Sequence, residues 1–71
     1  MPTQVFKVTG MTCDHCRGRV EGAIKGVVGV YGVYVDLAEG FAEVDFDDSK
    51  TKQDAIVDAI QSAGYGAEIS E

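Results

Sequence analysis

Two kinds of hydrophobic periodicity follow one another along this chain, and their order constrains the fold more than any other feature. Residues 4–9, 30–37 and 41–47 alternate apolar and polar side chains, as strands with one buried face do. Residues 14–25 and 55–63 instead repeat apolar side chains every three or four positions, which is typical of helices packed on a core. With a last short strand at residues 67–69, the predicted order is β-α-β-β-α-β.

The first half of the chain supplies one strand, one helix and a glycine-rich connection. Phe6 and Val8 are predicted to face the interior from the first strand, which ends at Gly10. The helix covers residues 14–25, and glycines within residues 26–29 mark its end. Its inward stripe is predicted to comprise Cys16, Val20, Ala23, Ile24 and Val27.

The next two strands are predicted to form a hairpin with one buried face, joined by residues 38–40. The second strand has Tyr31, Val33, Val35 and Leu37 on one face and Gly32, Tyr34 and Asp36 on the other. In the third strand the inward residues are Ala42, Val44 and Phe46, and the outward ones are Glu43, Asp45 and Asp47. The acidic side chains of this hairpin are therefore expected to face water.

A second helix follows, for which Ser49 or Thr51 is predicted to be the N-cap, and Gly64 ends it. Its inward residues are predicted to be Ala55, Ile56, Ala59, Ile60 and Ala63. The whole pattern predicts an α+β, ferredoxin-like βαββαβ sandwich, with a four-stranded antiparallel sheet and two helices on one face. The 71 residues have room for one core, and no linker divides them.

Acidic residues outnumber basic ones two to one, and this balance excludes some classes of partner. Twelve Asp and Glu against six Lys and Arg give a net charge of -6, which repels nucleic-acid phosphates and anionic lipid. The outward residues Glu43 and Asp45 also differ from the basic sheet of an RNA-recognition module. No apolar run reaches the ~18 residues of a membrane span, and the first residues lack a signal-peptide pattern. We therefore expect a cytoplasmic, unprocessed chain that binds no nucleic acid and does not insert into membranes.

Cys13 and Cys16 are the only cysteines, and two residues separate them. A disulfide between them would close too small a loop to stabilise the fold much, so their predicted role is chemical. Cys13 falls in the loop after the first strand and Cys16 in the first turn of the helix, where the helix dipole and free N–H groups favour thiolates. Two thiolates suit a soft ion of low coordination number such as Cu(I), whereas zinc normally takes four ligands.

Other uses of this cysteine pair stay open. The two thiols could be inert, could act as a redox dithiol, or could bind Hg(II), which also prefers thiolates. A thioredoxin-like enzyme would need a longer α/β domain, and a phosphate-cradling enzyme would need an arginine in the loop, where none precedes Arg17. The chain is therefore predicted not to be an enzyme.

Four segments together resemble the heavy-metal-associated domain. They are GMTCDHC at residues 10–16, GVYGVYVDL at 29–37, GFAEVDFD at 40–47 and AIVDAIQSAGY at 55–65, which implies a single such domain over residues 1–71. The chain is similar to the free bacterial copper chaperones of the CopZ type, and an N-terminal metal-binding domain excised from a copper-transporting P-type ATPase is the alternative. The resemblance implies a cytosolic carrier that binds Cu(I) through Cys13 and Cys16 and transfers it by ligand exchange to such an ATPase.

The resemblance also implies roles for side chains around the cysteines. Met11 is expected to pack under the loop, with a thioether ligand as the alternative. His15 is expected to be exposed, or else to serve as an accessory copper ligand or to modulate the thiolates. Tyr65 is expected near the metal loop, where it shields the ion, with a place at the edge of the core as the alternative.

The identity of the metal and of the partner also follows from the resemblance. Zinc- and cadmium-exporting relatives often carry an acid immediately before the first cysteine, whereas this chain has Thr12, which favours copper. Arg17, Arg19 and Lys25 either form a basic docking surface for the ATPase domain or are ordinary solvated helix residues. An exposed two-coordinate ion also leaves room for a copper-bridged homodimer, although the metal-free chain is expected to be a monomer.

Overall fold

The computed structural model describes residues 3–70 and confirms the predicted order of strands and helices. The elements are β1 (Thr3–Thr9), α1 (Asp14–Lys25), β2 (Val30–Asp36), β3 (Phe41–Phe46), α2 (Gln53–Ser62) and β4 (Gly66–Ser70). Each strand differs from its predicted range by no more than one residue at either end, and α1 matches its range. Within the described residues, no helix is long and apolar enough to cross a bilayer.

The four strands form one antiparallel sheet in the order β2-β3-β1-β4. The helix α1 packs mainly on β2, α2 packs on β4 and β1, and the two helices contact each other. Both helices therefore cover the same face of the sheet, as the ferredoxin-like arrangement requires. The predicted fold class is confirmed.

The core lies between the sheet and the two helices. Its buried apolar side chains are Phe6, Val8, Val20, Ile24, Val35, Ala42, Val44, Phe46, Ile56 and Ile60. The predicted inward residues of β1 and β3 all belong to this set, so the alternation in those strands was interpreted correctly. From the predicted stripe of α1, Val20 and Ile24 are fully buried, while Cys16, Ala23 and Val27 lie half-buried at its margins.

The strand β2 departs from the predicted alternation near its start. Its register with β3 passes from Val30 opposite Phe46 to Gly32 opposite Asp45, so β2 carries one extra residue there. This bulge leaves Tyr31 55% exposed and places Val30 against the core. The prediction that Tyr31 shares a face of the strand with Val33 and Val35 is therefore wrong, because an inserted residue reverses the faces that strict alternation assigns.

The start of α2 also differs from the prediction. Lys52 is the N-cap residue, and no side chain caps the helix. Ser49 instead donates its hydroxyl to Oδ1 of Asp47 at 2.6 Å, and Thr51 is buried just before the helix. Both predicted caps are wrong. The hydroxyl of Ser49 is used in the turn at Asp47, and the N-cap position falls on Lys52, one residue after Thr51.

The inward stripe of α2 is shifted relative to the prediction. Ile56 and Ile60 are fully buried as predicted, but Ala55 is exposed and Val57 packs on the core instead. A helical repeat of 3.6 residues lets either neighbour of Ile56 lie at the margin of the stripe, and the larger Val57 gains more from burial. Gly64 follows the end of α2 with φ 101°, which agrees with its predicted role as a stop.

Candidate metal centre

Cys13 and Cys16 come together at the N-terminus of α1. Cys13 is the N-cap residue, and Cys16 lies in the first turn. Their Sγ atoms are 4.0 Å apart, and both are free thiols. A disulfide bond would hold the sulfurs at ~2.05 Å. The pair therefore offers two sulfur donors within reach of one ion.

The backbone explains why the thiol of Cys13 is available. Its φ of -158° and ψ of 173° are extended, and its side chain makes no capping hydrogen bond. Its carbonyl oxygen accepts the N–H of Arg17 at 3.2 Å, which is the first hydrogen bond of α1. Cys13 is thus fixed through its main chain while its side chain stays exposed, and Cys16 is half-buried beside it.

The thiol of Cys16 is strongly perturbed by neighbouring donors. Hydrogen bonding from the Thr12 backbone, followed by the hydroxyls of Tyr65 and Thr12, lowers the pKa of Cys16 to about 6. The hydroxyl oxygen of Thr12 lies 3.8 Å from Cys16 Sγ. Cys16 is therefore mainly thiolate at neutral pH, which is the form of cysteine that binds soft metals.

Tyr65 reaches this loop from the end of α2. Its N–H donates to the carbonyl oxygen of Ile60 at 3.3 Å, and its ring lies against Gly10 at the start of the loop. Hydrogen bonding with Cys16 raises the pKa of Tyr65, so the phenol keeps its proton and can act as a donor. The structure thus places Tyr65 near the cysteines, and its shielding of an ion stays a prediction.

The other predicted site residues lie apart from the two sulfurs. Met11 is half-buried and packs against the core, whereas His15 is exposed. Over residues 3–70, no group of three or more His, Cys, Asp or Glu side chains converges to hold a metal, so neither Asp14 nor His15 joins the cysteine pair. The structure therefore brings together two sulfur atoms, and ligand roles for Cys13, Cys16 and His15 stay predictions.

The basic side chains of α1 are largely paired within the helix. Arg17 contacts Asp14 at 3.1 Å and Glu21 at 2.9 Å, and Lys25 contacts Glu21 at 3.0 Å. Asp14 and then Glu21 raise the pKa of Arg17, and Lys25 and then Arg17 lower the pKa of Glu21. Arg19 has no ion-pair partner in the part of the chain that the structure describes. The net positive charge of the surface expected on α1 is therefore smaller than the number of its Arg and Lys residues implies.

Two contributors to the site lie outside the residues predicted for it. From the sequence, Thr12 bears only on the choice of metal, yet its backbone is the main cause of the low pKa of Cys16. Gly10 ends β1 as predicted, and it also lies next to the ring of Tyr65 with a φ of 94°, which favours glycine. The contact between Thr12 and Cys16 could have been expected from the sequence, because the two residues are four positions apart across a helix start.

A small βαββαβ sandwich with two free thiols at a helix start has the form of a metal-binding domain. Comparison with known families gives the same result, since the heavy-metal-associated domain matches residues 5–66. The chain belongs to the heavy-metal-associated domain family. It is accordingly a metal-binding protein and not an enzyme.

Similar proteins include a copper chaperone, domains of metal-transporting ATPases and MerP of Ralstonia metallidurans, whose oxidized form matches with a TM-score of 0.95 at 37% identity over 99% of this chain and 97% of that chain. The copper chaperone CopZ of Staphylococcus saprophyticus is 43% identical over 65 residues, which cover 92% of this chain and 96% of the chaperone. The cation-transporting ATPase HMA5 of Oryza sativa is 45% identical over 62 residues, which cover 87% of this chain but 6% of the ATPase. A crystal structure of a copper binding domain from HMA7, a P-type ATPase, matches with a TM-score of 0.98 at 39% identity, over 100% of this chain and 96% of that domain.

Proposed function

We propose that this protein carries Cu(I) on Cys13 and Cys16 and delivers it to a metal-binding domain of a copper-transporting P-type ATPase. The observation that carries the proposal is the pair of free sulfurs 4.0 Å apart at an exposed helix start. Thiolates are preferred ligands of Cu(I), whereas calcium and magnesium prefer oxygen and structural zinc takes four ligands. The relatives support copper as the cargo, since CopZ is a copper chaperone and the HMA7 domain binds copper.

The exposure of Cys13 suits transfer by ligand exchange. A thiolate of the partner forms a third Cu–S bond, after which Cys13 leaves the ion and takes up the proton that the partner's thiol released. A second thiol of the partner then loses its proton to solvent and replaces Cys16, which leaves the ion as a thiolate. Copper stays in the +1 state throughout, so no electron donor or acceptor is needed.

The relatives suggest two settings for the same chemistry, a free carrier as in CopZ or a segment of a larger ATPase as in HMA5. We propose the free carrier, acting in the cytoplasm. The physical reason for that compartment is that cytosolic thiols are kept reduced, whereas an oxidising compartment would favour a disulfide between Cys13 and Cys16. In the alternative setting, the same two sulfurs would receive the ion from a separate carrier.

A transfer assay tests the proposed function. Cu(I)-loaded protein is mixed with the metal-free metal-binding domain of a copper ATPase, the two are separated by ion exchange, and copper is measured in each. We expect copper to move to the ATPase domain while remaining Cu(I). Copper that stays on the loaded chain, together with reduction of insulin disulfides by the metal-free protein, would instead favour a redox dithiol.

We further propose that the metal-free protein is a monomer and that Cu(I) can bridge two chains. Two sulfurs leave the ion open to a third ligand, which a thiolate or His15 of a second chain could supply. Sedimentation of the metal-free and Cu(I)-loaded forms tests this, with a copper-dependent increase in mass expected. A metal-free dimer that does not change on adding Cu(I) would contradict it.

A further inference from the structure

The sheet face opposite the helices carries a group of side chains that the metal site does not use. Tyr34 and Phe41 point outward from β2 and β3, and their ring centroids lie 6.1 Å apart at an interplanar angle of 55°. In the register of these strands, Glu43 lies opposite Tyr34, and Asp36 lies opposite Phe41. Two aromatic rings and two carboxylates thus share one corner of this face, and Lys7 of β1 lies opposite Phe41 at its border.

Glu43 is the carboxylate of this corner that is free to bind a partner. Asp36 already accepts the N–H of Glu39 in the hairpin turn at 2.9 Å. Glu43 is exposed and has no ion-pair partner among residues 3–70. Directly opposed side chains on antiparallel strands have Cβ atoms ~4.5–5.5 Å apart, so Glu43 and Tyr34 are neighbours on this face.

A second exposed tyrosine, Tyr31, differs from Tyr34 in having a lysine of its own chain beside it. Lys50 Nζ lies 3.4 Å from the hydroxyl oxygen of Tyr31 and 6.0 Å from the centroid of its ring. Lys50 thus stands at the hydroxyl edge of Tyr31, where its charge repels a second cation. Tyr34 is 58% exposed, and within residues 3–70 no cation lies over its ring.

The charge of this face favours a cationic partner. Across the described strands, the outward positions hold Asp36, Glu43, Asp45 and Glu68 against Lys7 as the one cation. An arginine matches the corner at Tyr34 better than a lysine does. Its planar guanidinium can stack on an aromatic ring and at the same time donate two parallel hydrogen bonds to a carboxylate.

We propose that Tyr34 and Glu43 form a docking site for an arginine side chain of a partner protein. The guanidinium stacks on the exposed ring of Tyr34, Phe41 supports that ring from the side, and Glu43 pairs with the charge. The remaining acids of the face attract further basic residues of the same partner segment. Because this face lies opposite the helices, a partner bound here leaves the N-terminus of α1 uncovered. The site does not depend on which metal the cysteines bind.

An NMR titration of the metal-free, ¹⁵N-labelled protein tests the proposal with two defined peptides. One peptide places several arginines among serines and glycines, and the other replaces each arginine with lysine. We expect the arginine peptide to bind more tightly and to shift the amides of Tyr34, Phe41 and Glu43. Equal affinity for the two peptides, or shifts centred elsewhere, would overturn the proposal and show attraction by net charge alone.

Substitutions sharpen this test and include a matched control. Tyr34→Ala is expected to weaken binding of the arginine peptide about three- to five-fold, the range of an exposed cation–π contact, and Glu43→Gln by a similar factor. Tyr31→Ala removes an equally exposed ring that has its own cation, so it is expected to change affinity little. Unchanged binding by Tyr34→Ala, with circular dichroism showing a native fold, would overturn the proposal, as would tighter binding of single-stranded RNA than of the arginine peptide.

Discussion

Tyr65 and Gly10 lie in contact, and a methyl group built on Gly10 would stand 3.6 Å from Cδ1 of Tyr65. Gly10 has φ 94°, a conformation that other residues rarely adopt, so the chain can pass under the ring without strain. The hydroxyl of the same tyrosine is among the groups that lower the pKa of Cys16. One ring thereby connects the end of β1, the end of α2 and the start of α1.

Removing the hydroxyl of Tyr65 is expected to make Cys16 a weaker acid. In Tyr65→Phe the pKa of Cys16 rises from about 6 towards its ordinary value, but only part of the way, because the Thr12 backbone remains the larger cause of the lowering. Thiolate absorbance in the ultraviolet, followed against pH on the metal-free protein, measures the shift. Tyr31→Phe, which removes a tyrosine hydroxyl that is not among the causes of the low pKa of Cys16, serves as the control, and identical curves for the two variants would contradict the expectation.

The low pKa of Cys16 also predicts how stability depends on pH. The pKa in the folded protein is about 6, below the ~8.5 of a thiol in an unfolded chain, so thiolate formation stabilises the folded state fully above that higher value. This contribution is lost as the pH falls through 6. Urea unfolding of the metal-free protein near pH 6 and near pH 9 should show the wild type gaining stability relative to Cys16→Ser as the pH rises. Parallel pH dependences of the two proteins would contradict this.

Each cysteine is expected to be necessary for tight Cu(I) binding but not for folding. Cys13→Ser and Cys16→Ser each leave one sulfur, and neither side chain belongs to the buried core. Competition with a chromogenic Cu(I) chelator should show that both variants lose copper to the chelator, while circular dichroism shows the native fold. Arg19→Ala changes an exposed residue of the same helix that offers no metal-binding atom, and it should compete like the wild type. Retention of copper by either cysteine variant would disprove a two-sulfur site.

The same substitution at two glycines is expected to change stability in opposite directions. No atom lies within 4 Å of a methyl group built on Gly18 or on Gly64, so packing does not distinguish them. Gly18 is inside α1, where alanine should stabilise the fold by about 0.5–1 kcal/mol. Gly64 has φ 101°, where an L side chain costs about 1–2 kcal/mol. Urea unfolding of Gly18→Ala and Gly64→Ala measures both changes, and a shared sign would show that backbone conformation does not control them.

Periodicity located every strand and helix of the described chain, because each element buries one face and the spacing of its apolar residues records that face. It failed at Tyr31, where the extra residue of β2 is visible only in the pairing with β3. It also failed at Ser49, because the competing acceptor on Asp47 lies outside any helix pattern. Both errors come from interactions with residues outside the strand or helix whose periodicity was being interpreted.

The candidate site was predictable in part. The spacing of Cys13 and Cys16 against the helix start was enough to expect two neighbouring thiols, since both positions are fixed by local structure. The pairing of Arg17 with Glu21 could also have been expected, because oppositely charged residues four apart on a helix are neighbours. The contact of Tyr65 with Gly10 could not follow from local rules, because it forms only when α2 packs beside β1.

The strand β2 lies at an edge of the sheet, and the bulge between Val30 and Gly32 breaks the row of hydrogen-bonding groups that this edge presents to solvent. An unbroken edge would be a template on which a second copy could add its own strand. With the row interrupted, two copies that meet edge to edge cannot pair along the whole of β2. The bulge therefore works against strand addition at this one edge, where a flat, regular strand would accept the strand of a second copy.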